Sequence, residues 1–350
     1  MPVTELVARR CRDHDGDERS LRIALLDDLR GRVPFEWHVW ALTDPETEVA
    51  VAPLATVPDH LMALLPGIIR RRYLTPVNRW DTIEGPVQSL HRATNGAPSD
   101  SLLHAEVLGP NGIGDVAVMV FRDRFGCWGF VDLWRSVDAA PFTDQELDLL
   151  AEDVPAITDA LRRCQARTFD EPASTAPGSG PAVLFLSSDL VVRGQTPDTD
   201  AYLRALLPTE ADRQPVPAGA YNVAASLIGS ELGCFDHEPV ARVRPVVGTW
   251  LTFRAARVDD DRPVAEQDIA VTIELTSPRD RRSLYARSHG LTPREGELID
   301  LLAEGADTRS IAQSLFLSEH TVQDHLKSIF AKTGTDSRRL LTARATGAAR

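Results

Sequence analysis

Leu291-Thr-Pro-Arg-Glu295, an apolar run to Ala303, Gly305, a second short apolar run, Ser318 and then Thr321-Val-Gln-Asp-His-Leu-Lys-Ser-Ile-Phe-Ala-Lys332 form the stretch whose reading decides the fold of the carboxyl end. Thr292 supplies a capping hydroxyl, Pro293 takes the first helical position and Glu295 falls three residues after the cap. Together they fix a helix start. Leu298, Leu301 and Leu302 give that helix one apolar stripe, and Gly305 follows where a left-handed residue would end it. Ile311, Ala312 and Leu315 mark a second helix after Asp307 and Thr308, and Ser318 caps a third.

At about 100° per residue, Val322, Leu326, Ile329, Phe330 and Thr333 share one sector, the buried side of the third helix. His320, Asp324, Lys327 and Ala331 are left to the opposite side, with Gln323 on the flank. Two helices joined by a short turn, the second offering small and polar side chains outward, make a helix-turn-helix that lays its second helix in the major groove. A fourth helix is expected from about Asp336 past Leu340 and Leu341. Periodicity alone is equally compatible with a solvated four-helix bundle.

The residue pattern goes further. Leu291-Thr292, Arg294-Glu295-x-Glu297, Leu301-x-Ala303-x-Gly305, Ile311-Ala312, Leu317-Ser318, Thr321-Val322, His325, Lys332-x-Gly334 and Ser337-Arg338 resemble the LuxR/NarL-type transcription-factor domain over residues 291–350. The resemblance implies that Ser318 to Lys332 is the recognition helix. It points to Ser318, His320, Thr321, Gln323, Asp324, Lys327, Ser328, Lys332 and Arg338 as the DNA-facing set, with the fourth helix as the usual dimer contact. Gln323 stands where that family often has a basic residue, and Thr308-Arg309-Ser310 where it has Asn-Lys-Glu, so base preference does not transfer.

The 350 residues, 43% of them apolar with mixed charge, suffice for two or three domains with cores of their own. No apolar run reaches the roughly 18 residues of a spanning helix, so no membrane partner is expected. Arg9-Arg10 is followed by Cys11-Arg-Asp-His-Asp15 instead of the apolar segment of an export signal, and a surface helix is the reading there. Cys11, Cys127, Cys164 and Cys234 have no paired spacing, which argues against a zinc site or a disulfide framework and for a cytoplasmic chain.

A net charge of -13 at first opposes nucleic-acid binding. From Leu291 onward, however, eight basic residues balance eight acidic ones, so the deficit lies wholly upstream. Between Ser318 and Arg350 six basic residues face three acidic ones, and the two lysines of the chain, Lys327 and Lys332, are both there. Phosphate binding needs such a local patch, and a patch this thin calls for two copies.

Upstream, Leu21, Leu25 and Leu29 repeat at helical spacing, and strand-like runs flank a turn at Thr43-Asp-Pro-Glu-Thr47. Leu25-Leu26-Asp27-Asp28 superficially resembles the acidic pair of a phosphoacceptor receiver. The absence of any lysine before Lys327 removes that reading, and a Gly-Lys phosphate loop with it. A helix is expected over Asp59 to Arg70 with Leu61, Leu64, Leu65 and Ile68 inward, which Pro66 must bend or break. Strands are expected at Val116–Phe121 and Cys127–Trp134. A capping box at Thr143 and Glu146 then starts a helix that Pro155 should kink.

Gly126-Cys-Trp-Gly-Phe-Val-Asp-Leu-Trp134 with Pro141-Phe-Thr143 resembles the end of a GAF domain. Trp37, Trp40, Trp80, Trp128 and Trp134 could line a pocket for a flat ligand there, although core packing is the commoner role. His38, His91 and His104 are isolated, which speaks against haem or metal.

Glu171-Pro-Ala-Ser-Thr-Ala-Pro-Gly-Ser-Gly-Pro181 reads as a linker. Beyond it, strands at Ala182–Leu186 and Leu190–Gln195 precede a helix carrying Tyr202, Leu203, Leu206 and Leu207, and strands at Thr249–Val258 and Asp268–Leu275 follow. That order resembles a PAS domain. Asp259-Asp-Asp261 reads as a solvated hairpin tip in preference to a calcium loop. Arg279, Arg281, Arg282 and Arg287 sit on a helical connector.

The expected fold is thus α+β sensor domains, GAF-like over 1–166 and PAS-like over 182–277 with a linker at 167–181, followed through a connector at 278–290 by an all-α four-helix domain at 291–350. The expected function is a one-component DNA-binding transcription regulator without cofactor or enzymatic activity. Double-stranded DNA and a second copy are its expected partners, with a small molecule for the N-terminal domains and RNA polymerase as candidates. One alternative is an interaction protein that titrates other regulators, because Asp324 on the outward face repels phosphate even though it could accept from cytosine N4. The other is an enzyme with an appended regulatory domain. It lacks a Gly-x-Ser-x-Gly elbow, a His-Glu-x-x-His pair or a GxGxxG after a strand.

Overall fold

The computed structural model describes residues 3–171, 177–178, 180–206, 215–245, 248–259 and 261–347. Two helices come first: α1 (Val3–Asp13) and α2 (Glu18–Arg32), the latter opened by Asp17, whose carboxylate accepts from the Ser20 N–H at 2.7 Å. A five-stranded antiparallel sheet follows, in the order β2-β1-β5-β4-β3, from β1 (Trp37–Thr43), β2 (Ala50–Thr56), β3 (Val87–Ser89), β4 (Ile113–Asp123) and β5 (Gly126–Ser136). Between β2 and β3 run α3 (Asp59–Met62) and α4 (Leu65–Leu74), and α5 (Leu90–Ala93) follows β3. The helix expected from Asp59 is broken at Pro66 into two, the second of the two outcomes expected there. Proline lacks the N–H that a helix interior uses and fits best in a first turn, so a new helix starts around Pro66 and Leu64, expected inward, is exposed at the break.

Strand alternation gives this sheet two buried faces. Trp40, Met119, Phe121, Val131 and Leu133 pack on α1, α2 and α6 (Asp144–Arg167), while Val118, Val120, Phe130 and Trp134 face the other way. The capping box of Thr143 and Glu146 is formed, with Phe142 and Leu147 both buried beside it, and α6 runs on as one helix through Pro155.

A second antiparallel sheet has the order β7-β6-β10-β9-β8, from β6 (Ala182–Leu186), β7 (Val192–Gln195), β8 (Val240–Val243), β9 (Leu251–Arg257) and β10 (Ile269–Leu275). Its helices are α7 (Thr199–Leu206) and α8 (Ala218–Glu231). Residues 172–176 and 179 of the expected linker, Leu207 of the expected helix and Asp260 of the aspartate run lie outside the described residues.

The two sheet units share one core. Helix α8 is apolar on all sides, with Ala220, Tyr221, Val223, Ala224 and Ile228 buried, because it packs against β9 on one side and against α4 and β2 on the other. Tyr73 and Trp80 from the first unit meet Phe235 from the second, Tyr73 edge-on to it at 5.0 Å. Asp44, sealed from solvent in the turn after β1, accepts from Arg242 Nε and Nη2 at 2.7 Å each and from the Arg242 N–H at 2.8 Å. Thr47 Oγ1 donates to the Val240 carbonyl at 2.6 Å.

The helical unit comprises α9 (Pro278–Ser288), α10 (Pro293–Ala303), α11 (Thr308–Ser314), α12 (Glu319–Thr333) and α13 (Arg338–Thr346). Leu298, Ile299, Ile311, Val322, Leu326 and Leu341 form its core, which continues into Phe169, Trp250 and Tyr285 and so docks the unit on the sheet domains. Arg281 and Arg287 serve that docking, and Arg282 ties α9 to α10. Arg281 is buried over the Phe169 ring, Arg282 pairs with Asp300 at 2.6 Å and Arg287 donates to the Phe125 carbonyl at 2.9 Å.

Glu295, the capping-box residue of α10, does a second job. Its buried carboxylate accepts from Lys332 Nζ at 2.7 and 2.9 Å, from Ser328 Oγ at 2.7 Å and from the Thr292 N–H at 2.7 Å, clamping α10 to α12. Burial pushes this carboxyl up, but the hydrogen bonds outweigh it and hold it down at about 2.

Two outcomes are expected. Asp44→Ala leaves the Arg242 guanidinium buried without its main partner and lowers unfolding free energy by about 3–5 kcal/mol, whereas exchanging both residues for apolar ones costs less than the single change; urea midpoints check both. Glu295 ionises in the unfolded chain near pH 4.3, above its folded value, so its contribution is complete above that pH and is lost as pH falls towards about 2. Glu295→Gln should therefore flatten the acid limb of a thermal-midpoint profile in that window, and a limb of unchanged slope would count against the clamp.

Candidate nucleic-acid interface

The Asp307 carboxylate caps α11 by accepting from the Ser310 N–H at 2.8 Å, and Ser318 Oγ caps α12 by accepting from the Thr321 N–H at 3.0 Å. Between the two caps the chain turns at Leu315, Phe316 and Leu317. Helix α12 ends at Gly334, whose φ of +61° supplies the left-handed residue a helix stop needs.

Val322, Leu326, Ile329 and Thr333 are buried and Phe330 half-buried, so the inward sector is the one periodicity gives. The opposite side is open: the side chains of His320 and Lys327 are 85% and 74% exposed, and Asp324 and Ala331 are exposed too. Asp324 stands between its neighbours, 3.1 Å from Lys327 Nζ and 3.6 Å from His320 Nε2. The hydrogen bond from Lys327 holds its carboxyl below the usual carboxylate range.

The structure divides the nine residues of the expected DNA-facing set. His320, Asp324 and Lys327 form the open face. Ser318 and Thr321 are occupied by the cap, their hydroxyls 2.8 Å apart. Gln323 is exposed but donates to Thr308 Oγ1 at 3.3 Å, and Arg338 donates to the same hydroxyl at 2.6 Å, so Thr308 ties α11 to both α12 and α13. Ser328 and Lys332 are turned onto Glu295. Arg309 on α11 and Phe316 in the turn are exposed and stand outside the expected set.

In the sheet domains the tryptophans are packed. Trp80 stacks on Phe130 at 4.4 Å and Trp40 on Phe121 at 5.2 Å, and Trp128 and Trp134 are buried, with Trp37 half-buried. Arg72 lies over Trp80 and donates to Asp132 at 2.8 Å, and burial pushes the Asp132 carboxyl above its ordinary range. Burial likewise lowers His38 to about 4, and His104 Nε2 is 3.0 Å from the Ile113 carbonyl. Among the described residues no group of histidine, cysteine, aspartate or glutamate side chains is arranged to hold a metal, and no helix is long and apolar enough to cross a membrane.

Residues 289–345 match the family model described as bacterial regulatory proteins, luxR family. A transcriptional regulator of the HTH type from Mycobacterium tuberculosis is 43% identical over 85 residues, which is 23% of this chain and 10% of that protein. The spore germination protein GerE of Bacillus subtilis is 42% identical over 48 residues, 14% of this chain and 65% of that protein. The transcriptional regulatory protein DesR of the same organism is 34% identical over 64 residues, covering 18% of this chain and 32% of that one. This chain thus spans about a tenth of the length of its mycobacterial relative. The crystal structure of Escherichia coli SdiA aligns over 98% of this chain and 96% of that one at 13% identity, but with a TM-score of 0.39, too low to identify the sheet domains. The family match, the relatives and the geometry of α11 and α12 coincide on one segment: residues 289–345 are a luxR-family helix-turn-helix domain.

Proposed function

We propose that this chain is a one-component transcription regulator that binds double-stranded DNA as a homodimer. Helix α12 lies in the major groove, and the GAF-like and PAS-like domains respond in the cytoplasm to a small molecule or a protein partner. The observation that carries this reading is the open face of His320, Asp324 and Lys327 on the second helix of the helix-turn-helix, opposite a fully packed inner face. Charge supports it, since the acidic excess lies wholly upstream of Leu291 and leaves residues 291–350 balanced. The helical unit is also seated on the sheet domains through α9, Phe169 and Trp250, which gives those domains a physical route to it.

A second reading, an interaction protein that titrates other regulators, draws on the pairing of Asp324 with both Lys327 and His320, because that carboxylate offsets the charge the open face would offer to phosphate.

Selection of duplexes from a random pool by the intact protein, followed by anisotropy titration, separates the two. Under the regulator reading Lys327→Ala weakens binding to the selected DNA by on the order of 1–3 kcal/mol if the lysine reads a base. If it meets only phosphate, the loss is smaller and the salt slope falls by about one. Failure to enrich any sequence, with dimerisation retained, would favour the titrating protein.

A further inference from the structure

Phe316 is the residue that folding explains least. Its side chain is 95% exposed, whereas the next large apolar side chain among the described residues, Leu232, is 62% exposed. Its φ is +53°, in the left-handed region that glycine and asparagine occupy at little cost and a phenylalanine does not. The flanking residues behave in the ordinary way: Leu315 is buried, Leu317 packs on the core of the helical unit, and the turn closes through the Leu317 N–H donating to the Ala312 carbonyl at 2.9 Å. The turn therefore points leucines inward on either side of a residue that gains nothing from burial and carries backbone strain. Glycine or asparagine would serve the fold better.

The place of this ring limits what it can meet. It lies two residues before Ser318, the cap of α12, and is continuous in sequence with the exposed N-terminal turn that carries Glu319 and His320. In a helix-turn-helix the N-terminal residues of the second helix approach the base edges, so the turn that precedes it runs at the wall of the groove. A phenyl ring there finds two apolar surfaces, the 5-methyl group of thymine and the face of a deoxyribose.

Resting on the regulator reading, we infer that Phe316 is an apolar DNA-contacting residue of this domain, packing on a thymine methyl group or a deoxyribose beside the N-terminus of α12. The strained and solvated ring of the free protein is then a cost carried for binding. The two observations, strain and exposure, coincide on the one turn residue adjacent to the open face.

The test compares wild-type protein with Phe316→Asn, which suits the left-handed backbone, and Phe316→Gly, both in the full chain and on a duplex that wild type selects from a random pool. Both variants are expected to keep or raise the thermal midpoint while weakening binding to that duplex about 3- to 30-fold. Deoxyuridine in place of thymidine then separates the two contacts. If the methyl is the partner, wild type loses affinity and Phe316→Asn does not; if the sugar is, neither changes on the substitution, and the gap between them persists. Equal affinity of wild type and Phe316→Asn for the selected DNA overturns the inference and leaves the regulator reading standing. So does a variant with full DNA affinity that has lost only transcription with purified RNA polymerase, or only dimer mass. Wild-type protein that binds no duplex overturns both.

Discussion

The Asp44 carboxylate takes three hydrogen bonds from one residue 198 positions away, and the relation between the sheet units depends on it. Burying an aspartate and an arginine together costs several kcal/mol per ion, which their attraction offsets only when the remaining valences are also used. Here they are: the Glu46 N–H donates to Asp44 Oδ1 at 3.0 Å, and Arg242 Nη2 reaches the Glu46 carboxylate at 2.9 Å. Burial alone would push Asp44 up, yet the guanidinium holds it below the ordinary carboxylate range, so the pair stays charged. A pair of this kind contributes geometry more than energy. Apolar surfaces such as those of α8 and Phe235 could slide over one another, whereas a bidentate fork fits in one register only.

The same turn reaches the third unit. Glu46 lies 3.5 Å from Arg287 and 3.3 Å from Ser283 Oγ, both on α9, while Arg287 also holds the Phe125 carbonyl beyond β4. One β-turn of the first sheet is thus bonded to the second sheet and to the helix that leads into the helix-turn-helix. On the far side, Arg344 of α13 pairs with Asp170 just after α6 at 2.9 Å. Displacement of the turn after β1 would have to be accommodated by α9, because the contacts between them are directional. A physical route for coupling exists in these bonds; what it transmits depends on two arrangements of the turn having comparable free energy.

Much of the helical unit was legible because its determinants are local. Thr292 and Glu295, Asp307 and Ser318 are caps within three residues of what they cap, and the buried face of α12 follows from a 3.6-residue period. Strand β10 was legible through its strict alternation, and β5 as a long apolar run buried on both faces. The edge strands β3 and β8 were not, since three or four residues amid proline and glycine carry no measurable period. Leu64 was misplaced because the inward period was read across the break at Pro66. Nothing in the local pattern shows that a glutamate more than thirty positions upstream turns back to meet Ser328 and Lys332. The shared core of the sheet units was invisible for a related reason. A proline- and glycine-rich stretch reports a break in secondary structure, and the apolar completeness of α8, which reports packing on both sides, reads equally well as an ordinary core helix.

The two lysines of this chain have different fates, and the difference bears on how such a domain would hold DNA. Lys332 is spent on Glu295, and Lys327 is shared with Asp324. Arg344 is paired with Asp170, which offsets more of the positive charge that a count of the last residues suggests, and Arg338 keeps its charge but is held against Thr308. A single copy therefore releases few counterions on binding, and each additional phosphate contact matters in proportion. Two copies reading half-sites one helical turn apart double that number without any change in the fold. Because the open face of α12 is already exposed in the single chain, uncovering it is not what the sheet domains would need to accomplish under the regulator reading. Their leverage lies instead at α9 and α13, the helices they touch, and hence on how two helical units are presented to one duplex.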